Sequence, residues 1–271
     1  MRLFLTRLNH VAPSHESVPG TNTKIQPSAS GQPEAASTAQ DSWDLYLLRH
    51  TPVDVPKGHC YGRMEVPLSP GFHEDASRVL AHLESVEAFT HVFSSPLERC
   101  HRLAQSLTSA WSHRGRQVIW ESLEDLQEVS FGHWEGKRWD EIDPGEIGPW
   151  YEDFVERAPP GGESMRALSE RAQRALGDIQ KRVLLATCAE QNHDGCPLPG
   201  SSCLGRPRVL CVSHGGWIRA LMGSLLDMPL ASTFKLKVDY GDLAGFTIQV
   251  TRQITMQATT PTLVLLRSCL A

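Results

Sequence analysis

Residues 46–53 read YLLRHTPV, an apolar run that stops on Arg49 and His50. With Asp44 and Leu45 before it, the run predicts a buried strand over 44–50. A guanidinium and an imidazole are costly to bury, so a core strand that ends on both needs a reason. Two more strand-like runs end in the same manner. THVFSSP (90–96) stops on Ser94 and Ser95, with Arg99 close behind, and PRVLCVSHGG (207–216) passes Ser213 and His214 into a glycine pair. A helical pattern follows each: LERCHRLAQSLTSAWS, with Leu97, Leu103, Leu107 and Trp111 on one face, and WIRALMGSLL.

Strands alternating with helices predict a three-layer α/β/α sandwich around a mostly parallel sheet. Ligands in such sheets bind outside the carboxyl ends of the strands, so the three ends are expected to meet in one pocket. Amides at the starts of the two following helices favour an anion there. Pro96 suits the opening of the first helix, and Gly215-Gly216 permits close backbone approach to a ligand. Two arginines, two histidines and oriented amides make a site for phosphate. A largely neutral imidazole such as His50 is a competent nucleophile in that setting.

The rest of the chain bounds the reading. The 271 residues carry a net charge of -5, and 40% are hydrophobic, enough for a full core. Mild acidity argues against a broad nucleic-acid surface, and no run of 18 apolar residues predicts a membrane span. The opening LFL is too short for a secretory core. Residues 1–43, rich in Ser, Pro, Gln and Gly towards their end, read as a disordered leader before a domain over 44–271. Seven irregularly spaced cysteines read as reduced thiols of a cytoplasmic enzyme. Residues 126–164 read as a lid-like insert with one or two short helices. Residues 188–207 read as a flexible loop whose Cys188, His193, Cys196 and Cys203 fit no usual zinc spacing. Helices are expected over 72–86 and from Ser164 to about 187, and further strands near 116–122, 234–238, 244–250 and 262–268.

Five motifs then carry a resemblance: LLRHT (47–51), SSPLERCHRLA (94–104), LQEVSFGHWEG (126–136), PGGES (160–164) and VSHGG (212–216). In this order and at these separations they resemble the histidine phosphatase superfamily, the phosphoglycerate-mutase-like family, over about residues 44–251. The resemblance implies that His50 takes the phosphoryl group and that Arg49, Arg99 and His214 clamp its oxygens. It implies that Glu128 protonates the leaving oxygen and later activates water. It implies no metal and no cofactor. Within the family, CYGRMEVPL (60–68) and FGHWEG look like α-ribazole phosphatases, which remove the 5′-phosphate of α-ribazole phosphate in cobalamin assembly. The Gly-Glu-Ser and Trp-Asn that follow RH in cofactor-dependent phosphoglycerate mutases are absent. Arg63 and Tyr61 are candidate substrate contacts, and Trp134 either lines the pocket or packs the insert. The implied partner is a small phosphate ester, with no nucleic acid and no membrane, and a homodimer left open. The alternatives are a broad sugar or nucleotide phosphatase, a mutase, and a non-catalytic phospho-ligand binding module.

Overall fold

The computed structural model describes residues 42–86, 88–189, 206–250 and 262–270. The leader expected over 1–43 and the loop expected over 188–207 fall almost wholly outside them. The elements run β1 (Ser42–Arg49), α1 (Phe72–Leu83), β2 (His91–Ser94), α2 (Glu98–His113), β3 (Ile119–Ser122), α3 (Pro144–Glu152), α4 (Met165–Ala189), β4 (Arg208–Ser213), α5 (Gly215–Leu225), β5 (Asp242–Gln249) and β6 (Thr262–Ser268). The sheet order is β3-β2-β4-β1-β5-β6. The first four strands are parallel, while β5 runs antiparallel to β1 and β6 antiparallel to β5.

Chain direction across the sheet fixes the layers. From β1 to β2 to β3 the chain moves outward, and from β3 it turns back to insert β4 between β2 and β1. Right-handed crossovers place the helices of those two directions on opposite faces. On one face Phe72, Ala76, Val79 and Leu83 of α1 and Leu103, Leu107 and Trp111 of α2 pack on Leu48, Val92, Leu210 and Val212. On the other, Leu168, Ala172, Ala175, Ile179 and Val183 of α4 and Trp217, Ile218 and Leu221 of α5 pack on Leu45, Leu47, Phe93, Val209 and Cys211. Burial on both faces explains the unbroken apolar runs of β1 and β4. Each fully buried leucine here contributes about 1.5–3 kcal/mol.

Parallel register brings the strand ends level. Arg49 pairs with Ser213, and Ser94 with Val212, one residue short of it. Three adjacent central strands thus stop at one edge, as expected. The insert contains α3 and three-residue turns at Gly132–Trp134 and Trp139–Glu141. Its own small core is Trp134, Ile142 and Cys60, with Phe131, Trp139 and Trp150 against them. One strand expectation fails: 230–235 forms a 3₁₀ helix after Pro229, and 236–238 belongs to no strand. The carbonyls of Leu236 and Val238 accept instead from the Arg219 and Arg49 side chains. Among the described residues no helix is long and apolar enough to cross a membrane.

Candidate active site

His50 follows the last residue of β1 and its amide donates to Ser213 O of β4 (3.0 Å), so the sheet itself fixes its backbone. Its ring is 1% exposed. Nδ1 lies 2.7 Å from the Thr51 carbonyl. A carbonyl can only accept, so Nδ1 carries the proton and Nε2 holds the lone pair. Burial first, and then the charges of Arg99 and Arg49, hold the His50 pKa well below the ordinary histidine value, against the pull of the Thr51 hydrogen bond. The imidazole is therefore neutral at pH 7, with its free nitrogen fixed as Nε2.

His214 follows β4 and precedes α5, fully buried. Arg99 Nε donates to its Nδ1 (3.3 Å), and its Nε2 meets Ser95 Oγ at 2.8 Å. Since Nδ1 accepts, Nε2 carries the proton in the neutral ring. Burial, then the neighbouring His50, Arg99, Arg49 and Arg171, lower its pKa as well. The two rings lie 5.2 Å apart, edge to face.

The two guanidiniums are anchored by backbone oxygens rather than by carboxylates. Arg99, in the first turn of α2 and without exposed surface, donates to Met64 O (2.8 Å) and Gly62 O (2.6 Å). Arg49 donates through NH1 to Val238 O (2.7 Å) and lies 4.0 Å from the centre of the Tyr240 ring. Its Nε is buried without a partner, as is Thr51 Oγ1. Unpaired buried donors are rare in folded proteins and call for an explanation. Tyr240 also packs on His50 (5.3 Å), and its hydroxyl meets that of Tyr61 at 2.9 Å, while Tyr61 lies under Arg99 (5.3 Å). Burial and the hydrogen bond to Tyr240 raise the Tyr61 pKa.

One expectation needs correction. The Gly216 and Trp217 amides at the start of α5 and the Glu98 amide at the start of α2 are already taken by the protein's own carboxylates. Glu128 Oε1 accepts from Trp217 N (3.1 Å) and Val129 N (3.0 Å), and Oε2 accepts from Gly216 N (3.0 Å). Glu65 takes the Glu98 amide at the start of α2 (3.0 Å). The helix ends still favour negative charge, but the protein supplies it. The glycine pair has the same explanation: a Cβ on Gly216 would overlap Glu128 Oε1, and one on Gly215 would sit 3.3 Å from the Arg49 guanidinium. Close approach is required, but to the protein's own side chains. Pro96 likewise precedes the helix, which opens at Glu98 after Leu97 N donates to Ser95 Oγ.

The structure thus brings together Arg49, His50, Arg99 and His214, with Tyr61 beside them and Glu128 bonded to the start of α5 that His214 precedes. Arg63 lies elsewhere in the cluster: it donates to Glu128 O (2.9 Å) and Glu163 Oε2 (3.1 Å). Trp134 is buried in the insert, donating to Glu146. Ser164 caps α4 by accepting from Ala167 N. Sequence reasoning did not find Tyr240, Ser95 as the partner of His214, or Arg171. Glu163 carries no role in the sequence reading beyond its place in PGGES. Among the described residues no group of three or more His, Cys, Asp or Glu could hold a metal ion.

Comparison with known proteins adds an independent line. The model of the histidine phosphatase superfamily (branch 1) matches residues 45–187 and 202–257. The adenosylcobalamin/alpha-ribazole phosphatase of Escherichia coli (strain K12) is 26% identical over 201 residues, 73% of this chain and 86% of that protein. A probable phosphoglycerate mutase, GpmB of Salmonella choleraesuis, is 29% identical over 199 residues, 72% of this chain and 80% of that protein. Among solved structures, the alpha-ribazole phosphatase from Shigella flexneri superposes with a TM-score of 0.64 at 24% identity, over 83% of this chain and 96% of that one.

Proposed function

The chain belongs to the histidine phosphatase superfamily, and from that premise we propose that it hydrolyses a phosphate monoester through a phosphohistidine on His50. The observation that carries the reading is the Nδ1 bond to the Thr51 carbonyl, which leaves Nε2 with its lone pair beside two guanidiniums. Nε2 attacks phosphorus and the bond to the ester oxygen breaks. Arg49 and Arg99 hold the phosphoryl oxygens and stabilise the charge as it moves, and His214 joins them by exchanging its Nε2–H bond to Ser95 Oγ for one to a phosphoryl oxygen. The orphaned Arg49 Nε is a donor that a phosphate oxygen satisfies.

Glu128 passes a proton to the leaving oxygen. Its Oε1 already accepts two amide hydrogens and its Oε2 one, so the proton travels on Oε2, which keeps the free lone pair. Water then attacks the phosphohistidine and gives its proton to the Glu128 carboxylate. The P–N bond breaks and its electron pair returns to Nε2. No step calls on a metal.

For substrate we propose α-ribazole 5′-phosphate. The support is the CYGRMEVPL stretch and a relative that carries that name at 26% identity. A second reading, a phosphoglycerate mutase, has support from GpmB at 29% identity. It requires a phosphohistidine protected from water and a bisphosphate primer. The test is phosphate release from α-ribazole 5′-phosphate beside 3-phosphoglycerate, nucleotides and sugar phosphates, with EDTA present. A strong preference for the ribazole ester is expected. Similar slow rates on all of them would sink the substrate while leaving the chemistry, and loss of activity in EDTA would sink the metal-free mechanism.

A further inference from the structure

Glu128 follows a single 3₁₀ turn at Glu124–Leu126 and lies in no strand or α-helix, yet every carbonyl from 125 to 128 is taken by a side chain. Trp217 Nε1 and Arg171 NH1 donate to Asp125 O (2.6 and 2.9 Å). Ser213 Oγ donates to Leu126 O (2.7 Å), and Arg171 NH1 to Gln127 O (2.8 Å). Arg171 NH2 and Arg63 Nε both donate to Glu128 O (3.1 and 2.9 Å). Arg171 therefore grips three of the four carbonyls.

The guanidinium of Arg171 is itself locked. It is 6% exposed, and it forks onto Glu163 through Nε–Oε1 (2.9 Å) and NH2–Oε2 (2.8 Å). Burial raises the Glu163 pKa, but the Arg171 hydrogen bonds and the charges of Arg171 and Arg63 outweigh it and leave it below the ordinary value. Glu163 stays ionised and fixes both arginines. Its loop is tied to the segment after Glu128: Glu163 N donates to Ser130 O (2.8 Å) and His133 N to Pro160 O (2.9 Å). PGGES thus lies against the segment that follows the acid, with Glu163 as the hinge pin of the arrangement.

We propose that Arg171, oriented by Glu163, is a positioning residue for Glu128: it sets where the carboxyl stands over the site and does not touch substrate. The inference rests on the acid role assigned above. A fork onto one carboxylate and three carbonyls needs the planar, five-donor geometry of arginine, which a lysine ammonium cannot reproduce. Misplacement of a reacting group by about 1 Å costs on the order of 10²-fold in rate.

The test is a double-mutant cycle on two esters, an alkyl phosphate and p-nitrophenyl phosphate, with folding followed by thermal melting. Arg171→Lys is expected to lower kcat on the alkyl ester about 10²-fold and to change the aryl ester far less, since nitrophenolate leaves without a proton. In a Glu128→Ala background the same substitution is expected to cost nothing further on the alkyl ester. Glu163→Gln, which keeps the shape and removes the charge, is expected to behave likewise, and it carries the test if Arg171→Lys does not fold. Equal losses on both esters, or a full additional loss in the Glu128→Ala background, would mean that Arg171 is scaffold and overturn the inference alone. A Glu128→Ala protein with no difference between the esters would overturn the acid role and this inference with it.

Discussion

The floor of the site and the acid loop hold their side chains by different means. His50 and His214 stand at the ends of β1 and β4, and Arg99 in the first turn after β2, so ladder bonds and helix packing place them. Glu128 stands on a segment without a ladder, placed by four side-chain donors from three separate parts of the chain. Sheet ends need little charge to stay in place. A loop held to the same tolerance needs buried cations, and Arg171 and Arg63 then need Glu163 to balance them. The floor is therefore expected to tolerate changes around it better than the acid does.

The largest effect separates the two halves cleanly. His50→Ala removes the proposed nucleophile and is expected to abolish turnover of every ester, a loss on the order of 10⁶-fold, with the fold retained. Residual turnover on aryl esters alone would move the nucleophile elsewhere. Next comes the proposed acid. Glu128→Ala is expected to lower kcat about 10²–10⁴-fold on alkyl phosphates and much less on aryl phosphates, because a good leaving group departs unprotonated. Loss of the carboxylate also frees the Gly216 and Trp217 amides, so a lower melting temperature is expected beside it, of about 1 kcal/mol as for a lost helix cap.

A third measurement probes the floor through pH. His50 and His214 have folded pKa values below the ordinary 6.5. In that window the unfolded chain binds protons that the folded one refuses, so stability rises with pH. Stability is expected to be complete above about pH 6.5 and to fall as pH drops below it towards the folded values. Melting curves between pH 8 and pH 5 check this, and His50→Gln is expected to flatten the acid side. A melting temperature that rises on acidification would contradict the buried neutral pair. The smallest effect is at the rim. Tyr240→Phe removes the hydroxyl that meets Tyr61 but keeps the ring against Arg49. A cost of about 0.5–1.5 kcal/mol in stability and less than about tenfold in kcat/KM is expected; a larger kinetic loss would make that hydroxyl a substrate contact.

The same contrast explains what the sequence disclosed. The floor was legible because strand ends leave a local trace: apolar runs of the right length stop on Arg49-His50, Ser94-Ser95 and Ser213-His214. Parallel register alone then brings those ends level. The helix starts were legible as anion sites, but their occupants were not. Glu128 and Glu65 reach them from distant loops, and no local pattern reveals that. Arg171 lies in the second turn of α4, where an arginine reads as a solvated helix residue; only the tertiary fold turns it inward onto 125–128. Residues 234–238 carried a strand-like alternation, and side-chain donors took the carbonyls that a ladder would have used.

The account stands on a covalent phosphoryl group on His50, and that can be measured directly. The protein is mixed with substrate, quenched in alkali within milliseconds, and its peptides are mapped by mass spectrometry. The expected result is one acid-labile, alkali-stable phosphate on the peptide that contains His50, absent from His50→Ala and accumulating in Glu128→Ala supplied with an aryl ester. Full turnover with no phosphopeptide at any time, or a phosphate on another residue, would contradict it.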